Sequence, residues 1–138
     1  MEKDFEEKIK VRYKETDQMG VVHHSNYIVY LEQARGNYIA SLGYPYSRME
    51  KDGILLTIVD VSCKYHSPAY YEDELSVSVH VTDLTPVRVK FTYEVRRGDT
   101  LIAEAVTVLA CIDKIRRPMR IPEKIESIFK QQLKTTVQ

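Results

Sequence analysis

Asp17, Gly20, His23, His24 and Asn26 fall together in the stretch ETDQMGVVHHSNY, Glu15 to Tyr27. A carboxylate serves as a nucleophile or general base, and histidine titrates near neutral pH. If a helix begins where this stretch ends, its unsatisfied amides point outward and carry the positive end of the macrodipole. A carbonyl oxygen resting on such amides is polarised, and Asp17 on its other side can attack the carbon or activate a water. That is acyl-transfer chemistry. The plainer reading is a turn, in which Asp17 accepts from nearby amides and Gly20 supplies a positive φ. His23 and His24 are adjacent and lack chelating spacing, and no cysteine or carboxylate cluster completes a site, so no metal is expected. There is no GxSxG elbow, and the 5 glycines are dispersed rather than gathered in a phosphate loop. Arg88 and Lys90 share one strand face, either as solvated charges or as contacts for a phosphate-bearing ligand.

The elements that must position these groups are read from periodicity. Residues 8–14, KIKVRYK, alternate like a half-buried strand. From Asn26 to Leu42, apolar residues recur at spacings of three and four, as in a helix. Ser25 is the expected N-cap, and Gly43 followed by Pro45 ends the helix. Gly36 lies mid-helix, where close approach of another element would account for it. Ile54 to Tyr65, Leu75 to Val81 and Val87 to Val95 read as strands, with a turn at Thr85-Pro86 and a hairpin at Arg97-Gly98-Asp99. Leu101 to Ile112 is apolar on both faces, which predicts a central strand covered on both sides. Residues 123–134 suggest a short terminal helix. Strand, long helix, then strands joined by short turns implies an antiparallel sheet with the helix on one face, an α+β class.

A chain of 138 residues suits one domain, residues 1–138, with 20 basic and 20 acidic side chains. That balance gives no reason to expect nucleic acid or an anionic membrane as partner. The charged N-terminus has no secretory h-region, and no apolar run reaches the roughly 20 residues of a membrane span. A cytoplasmic protein with Cys63 and Cys111 as buried free thiols is expected.

Tyr13 to Tyr27, followed by Leu31-Glu32-Gln33-Ala34-Arg35, closely resembles the acyl-CoA thioesterases of the 4-hydroxybenzoyl-CoA thioesterase and YbgC type. Tyr65 to Leu75 looks like the second segment of that family. The resemblance spans about Ile9 to Ile112 and implies the hotdog fold, an antiparallel β-sheet wrapped around one long central α-helix. It implies Asp17 as the catalytic carboxylate, a helix-start amide near His24 polarising the carbonyl, and the His24 side chain and Tyr13 as further active-site groups. Asn26 would orient the loop. Glu32 would line the acyl pocket or pair with Arg35, and Arg88 and Lys90 would meet CoA phosphates. The family implies no cofactor, an acyl-CoA or acyl-carrier-protein substrate, and a homo-oligomer, dimer or homotetramer. A non-catalytic acyl-CoA-binding module is the remaining alternative.

Overall fold

The period-two runs pair into one antiparallel sheet. In this computed structural model, which describes residues 5–137, the strands are β1 (Glu6–Lys10), β2 (Leu55–Tyr65), β3 (Glu74–Leu84), β4 (Arg88–Arg97) and β5 (Thr100–Ile112). They lie side by side in the order β1-β3-β4-β5-β2, every pair antiparallel. Alternate residues of the middle strands point to one buried face. Leu75, Val77, Val79 and Val81 of β3 lie there beside Val89, Phe91, Tyr93 and Val95 of β4. Taking such side chains out of water contributes roughly 1.5–3 kcal/mol each.

The long helix α1 (Ser25–Ser41) lies on that face and buries Tyr27, Tyr30, Leu31, Ala34, Arg35, Tyr38 and Ile39. It does not cover the face alone. A terminal helix, α3 (Glu123–Val137), packs beside it, so that Phe91 makes edge contacts with Tyr38 of α1 at 6.3 Å and Phe129 of α3 at 5.8 Å. Between α1 and β2 stands a short helix, α2 (Tyr46–Lys51). Its Tyr46 ring lies 3.6 Å from where a Cβ on Gly36 would stand. That is ordinary van der Waals contact, so α2 packs against Gly36 without demanding glycine there. Gly43, with φ +102°, makes the left-handed stop after α1.

Three expectations need correction. The first strand ends at Lys10; Val11 still exchanges backbone bonds with Asp73 and Glu72, and the chain then turns through a 3₁₀ segment, Tyr13–Glu15. Tyr13 therefore stands in that turn and not at a strand end. Helix α1 begins at Ser25 itself, with His24 as its cap residue, and the Ser25 hydroxyl bonds His23 Nδ1 at 2.8 Å instead of capping an amide. Finally, among the described residues β5 is fully covered on one side and only partly on the other, where Ile102 is buried. Ala103, Ala105, Thr107, Leu109 and Cys111 are buried, while Glu104, Val106, Val108 and Ala110 between them are half-buried. Of the two thiols, both free, Cys111 is buried and Cys63 half-buried.

Candidate active site

Three segments converge where α1 starts: the loop Thr16–Val22, the last residue of β2, and the turn after it. Backbone bonds fix them. His23 N–H donates to Glu15 O at 2.8 Å and Val22 N–H to Ala69 O at 2.8 Å, while Asp17 N–H donates to Val21 O at 2.9 Å. Gly20, at φ +81°, closes the tight loop between them. Tyr65 OH, from β2, donates to His24 O at 3.3 Å and ties the sheet to the helix start.

Beneath this loop lies a buried carboxylate. Glu15 is 5% exposed. Its Oε1 accepts from Arg12 N–H at 2.9 Å and Tyr30 OH at 2.8 Å, and its Oε2 from Arg12 Nε at 3.0 Å and Nη2 at 2.8 Å. Burial pushes its carboxyl up. The bonds from the Arg12 amide, the Tyr30 hydroxyl and the Arg12 guanidinium outweigh that and hold it below the usual glutamate value. The Glu15 carbonyl also accepts from Asn26 Nδ2 at 2.9 Å. Asn26 thus fastens the first turn of α1 to the loop.

Above it, Asp17, His24, Tyr27, Tyr65, His66 and Ser67 line a cavity of about 360 Å³. Asp17 Oδ1 accepts from Met19 N–H at 2.8 Å and Val21 N–H at 3.4 Å, so the turn reading holds as structure. Its Oδ2 has no donor among the described residues. The amides of Ser25, Asn26 and Tyr27 all find acceptors, in His23 Nδ1, His23 O and His24 O. His24 N–H has none among the described residues. One open carboxylate oxygen and one open amide therefore belong to residues lining the same cavity. The His24 ring is exposed and stacks on His23 at 4.1 Å. Tyr27 contacts Tyr65 edge-on at 5.2 Å, and burial, then Cys63 and Tyr65, push its phenol up to about 12.

The remaining residues singled out in the sequence lie elsewhere. Tyr13 is 75% exposed against Tyr71 and lines a separate cavity on the other side of Asp17. Glu32 lines a third, between α1, α2 and β2, and does not pair with Arg35, whose guanidinium binds tyrosine hydroxyls instead. Arg88 and Lys90 are exposed on the opposite face of the sheet. Arg88 pairs with Ala110 and Tyr65 with Ala103, a separation of roughly 23 Å along β5. Within one chain they do not reach Asp17. Tyr65, His66 and Glu15 were not picked out as site groups in the sequence. The available signal for Glu15 was its i, i+3 spacing from the opposite charge of Arg12.

Residues 11–129 match the family described as the thioesterase-like superfamily. The acyl-CoA thioester hydrolase YbgC of Escherichia coli O6:H1 is 26% identical over 125 residues, 89% of this chain and 93% of that protein. The chloroplastic acyl-acyl carrier protein thioesterase ATL3 of Arabidopsis thaliana is 29% identical over 126 residues, 90% of this chain and 66% of that protein. The crystal structure of a DHNA-CoA thioesterase from Staphylococcus aureus superposes with a TM-score of 0.89 at 30% identity, covering 96% of this chain and 94% of that one. With this sheet-and-helix architecture and a match over most of its length, the chain belongs to the thioesterase-like superfamily, hotdog-fold hydrolases of thioesters.

Proposed function

We propose that the protein hydrolyses acyl-CoA thioesters, with Asp17 as the reacting carboxylate and the His24 amide as the donor to the carbonyl oxygen. The observation that carries this is the pairing of an unengaged Asp17 Oδ2 with an unengaged His24 N–H on residues lining one cavity. The amide polarises the thioester carbonyl and stabilises the oxyanion as it forms. In the general-base course, Asp17 takes a proton from water while the water oxygen bonds to the acyl carbon. The C–S bond then breaks, and the CoA thiolate leaves and is protonated. In the nucleophilic course, Asp17 bonds to the acyl carbon, the C–S bond breaks and the CoA thiolate leaves, and water then attacks the aspartyl carbon of the mixed anhydride and releases the acid. Single-turnover hydrolysis in heavy-oxygen water separates the two, because only the nucleophilic course leaves label in Asp17.

Asn26 positions the loop through Glu15, and the His24 ring and Tyr13 flank Asp17 from two sides. A phosphate-binding role for Arg88 and Lys90 requires them to come from a second subunit. Strand β2 offers an open edge for such a subunit, with Val59 45% exposed beside the bulge between Ile58 and Asp60. A homo-oligomer in the cytoplasm fits this reading. No helix among the described residues is long and apolar enough to cross a membrane.

Asp17→Asn keeps the turn and removes the base or nucleophile, so kcat on a responsive acyl-CoA is expected to fall by at least roughly 10²-fold. Unchanged turnover across short, long, branched and aromatic acyl-CoAs overturns the role of Asp17. The match to a carrier-protein thioesterase favours a second reading, an acyl-carrier-protein substrate. Matched acyl-CoA and acyl-carrier substrates decide between the two. Acyl-CoA binding without hydrolysis of any thioester would instead identify a binding module.

A further inference from the structure

Tyr65 is the last residue of β2 and lines the cavity shared by Asp17 and His24. Its backbone pairs with Ala103 of β5 and so belongs to the sheet. Its hydroxyl crosses to the helix and donates to His24 O at 3.3 Å. That carbonyl also accepts Tyr27 N–H at 3.2 Å, a bond within the first turn of α1. The Tyr65 ring meets the buried Tyr27 edge-on at 5.2 Å. Burial, then the bond to Cys63, push the Tyr65 phenol up, so the hydroxyl keeps its proton and remains a donor across the neutral range.

The His24 amide is held through its neighbours. His23 N–H donates to Glu15 O at 2.8 Å on the loop side, and His23 O accepts Asn26 N–H at 2.9 Å on the helix side. The second of these acts on the same peptide group that carries the open His24 N–H. Both ties run within the stretch from Glu15 to Asn26. The Tyr65 hydroxyl is different, because it reaches His24 from the sheet, across 41 positions of the chain. It sets how far the helix start stands from the wall formed by Tyr65, His66 and Ser67.

We infer that Tyr65 is a positioning residue for thioester hydrolysis, whose hydroxyl holds the His24 amide at the place where the oxyanion forms. This role rests on the proposed function, since the amide is the one assigned there to the carbonyl oxygen. A donor aimed at the oxyanion is realised in the transition state, so loosening it lowers kcat and leaves KM alone. The ring has a separate part as cavity wall, and its loss should raise KM.

Tyr65→Phe keeps the ring and removes the hydroxyl. On an acyl-CoA that the wild type hydrolyses, kcat should fall about fivefold, the loss of one neutral hydrogen bond, with KM within about twofold. Tyr65→Leu removes the ring as well and should raise KM. Two inhibitors separate positioning from plain structure. Trifluoroacetonyl-CoA carries a ketone that hydrates to a tetrahedral centre, and trifluoropropyl-CoA is its counterpart without that oxygen. Tyr65→Phe should weaken the ketone about fivefold and leave the thioether unchanged. A merely structural bond lowers the urea midpoint and moves both inhibitors alike. Unchanged kcat in Tyr65→Phe, or equal weakening of the two inhibitors, overturns the role of Tyr65, while wild-type turnover and its loss in Asp17→Asn leave the proposed function standing. If the folded wild type hydrolyses no thioester, the proposed function fails and the role of Tyr65 falls with it.

Discussion

Glu15 and Arg35 are both buried charges held partly by tyrosine, yet their surroundings differ. Each oxygen of Glu15 accepts two hydrogen bonds, and the partner Arg12 supplies three of those donors. Arg35 donates only to neutral hydroxyls, and its other terminal nitrogen is not a buried unpaired donor. The first charge is complete and acts as a strut. It joins the turn before Asp17 to the helix start through side-chain and carbonyl bonds together. The second is held by phenols, with no carboxylate partner among the described residues. Burial alone does not say how a charge is held; the kind and number of its partners do.

The comparison can be broken from its stronger side first. Glu15→Ala leaves the Tyr30 hydroxyl and the Arg12 amide without their acceptor, and should destabilise the fold by about 3 kcal/mol. A urea midpoint that barely moves would make Glu15 an ornament of the loop. Acid comes next. The Glu15 carboxyl is held below its ordinary value of 4.5, so its contribution is full above 4.5 and is lost as pH falls through the lower folded value. Wild-type stability should decline there by up to roughly 1.4 kcal/mol per pH unit from this group, and Glu15→Gln should flatten that slope. Tyr30→Phe removes one of the four bonds and should cost about 1 kcal/mol in the same denaturation assay. Arg35→Met should change stability least, within about 1 kcal/mol, because an apolar side chain of similar length replaces a buried cation whose hydrogen-bond partners are all neutral. A loss as large as that of Glu15→Ala would erase the distinction.

Much of the sheet was legible because one face is buried and the other is not. From Leu75 to Val81 of β3 and from Val89 to Val95 of β4 every second residue is Leu, Val, Phe or Tyr, and the residues between are polar. Strand β5 misled for the same reason. Val106, Val108 and Ala110 are apolar on the half-buried outer side, so composition suggested a second cover that no element among the described residues supplies in full. Val11 and Tyr13 kept the rhythm of β1 beyond its end, although the chain already turns at Tyr13, where Glu15 is drawn back to Arg12. Helix α2 is too short, at 6 residues, to display a helical period. In the site, the stretch around Asp17 was readable because its residues act within a dozen positions of one another. The setting of Arg35 was not, since its hydroxyl partners lie 11 and 58 positions away.

The tyrosines at the start of α1 have an optical consequence. The chain contains 10 Tyr and 0 Trp, so its near-ultraviolet signal has no indole background. Tyr27 sits edge-on between Tyr30 at 5.8 Å and Tyr65 at 5.2 Å, and both Tyr27 and Tyr65 line the cavity that holds Asp17. With its phenol pushed up to about 12, Tyr27 keeps its proton throughout the neutral range and gives a baseline that does not drift with buffer. Circular dichroism of this triplet should therefore register occupancy beside Asp17 with no label attached.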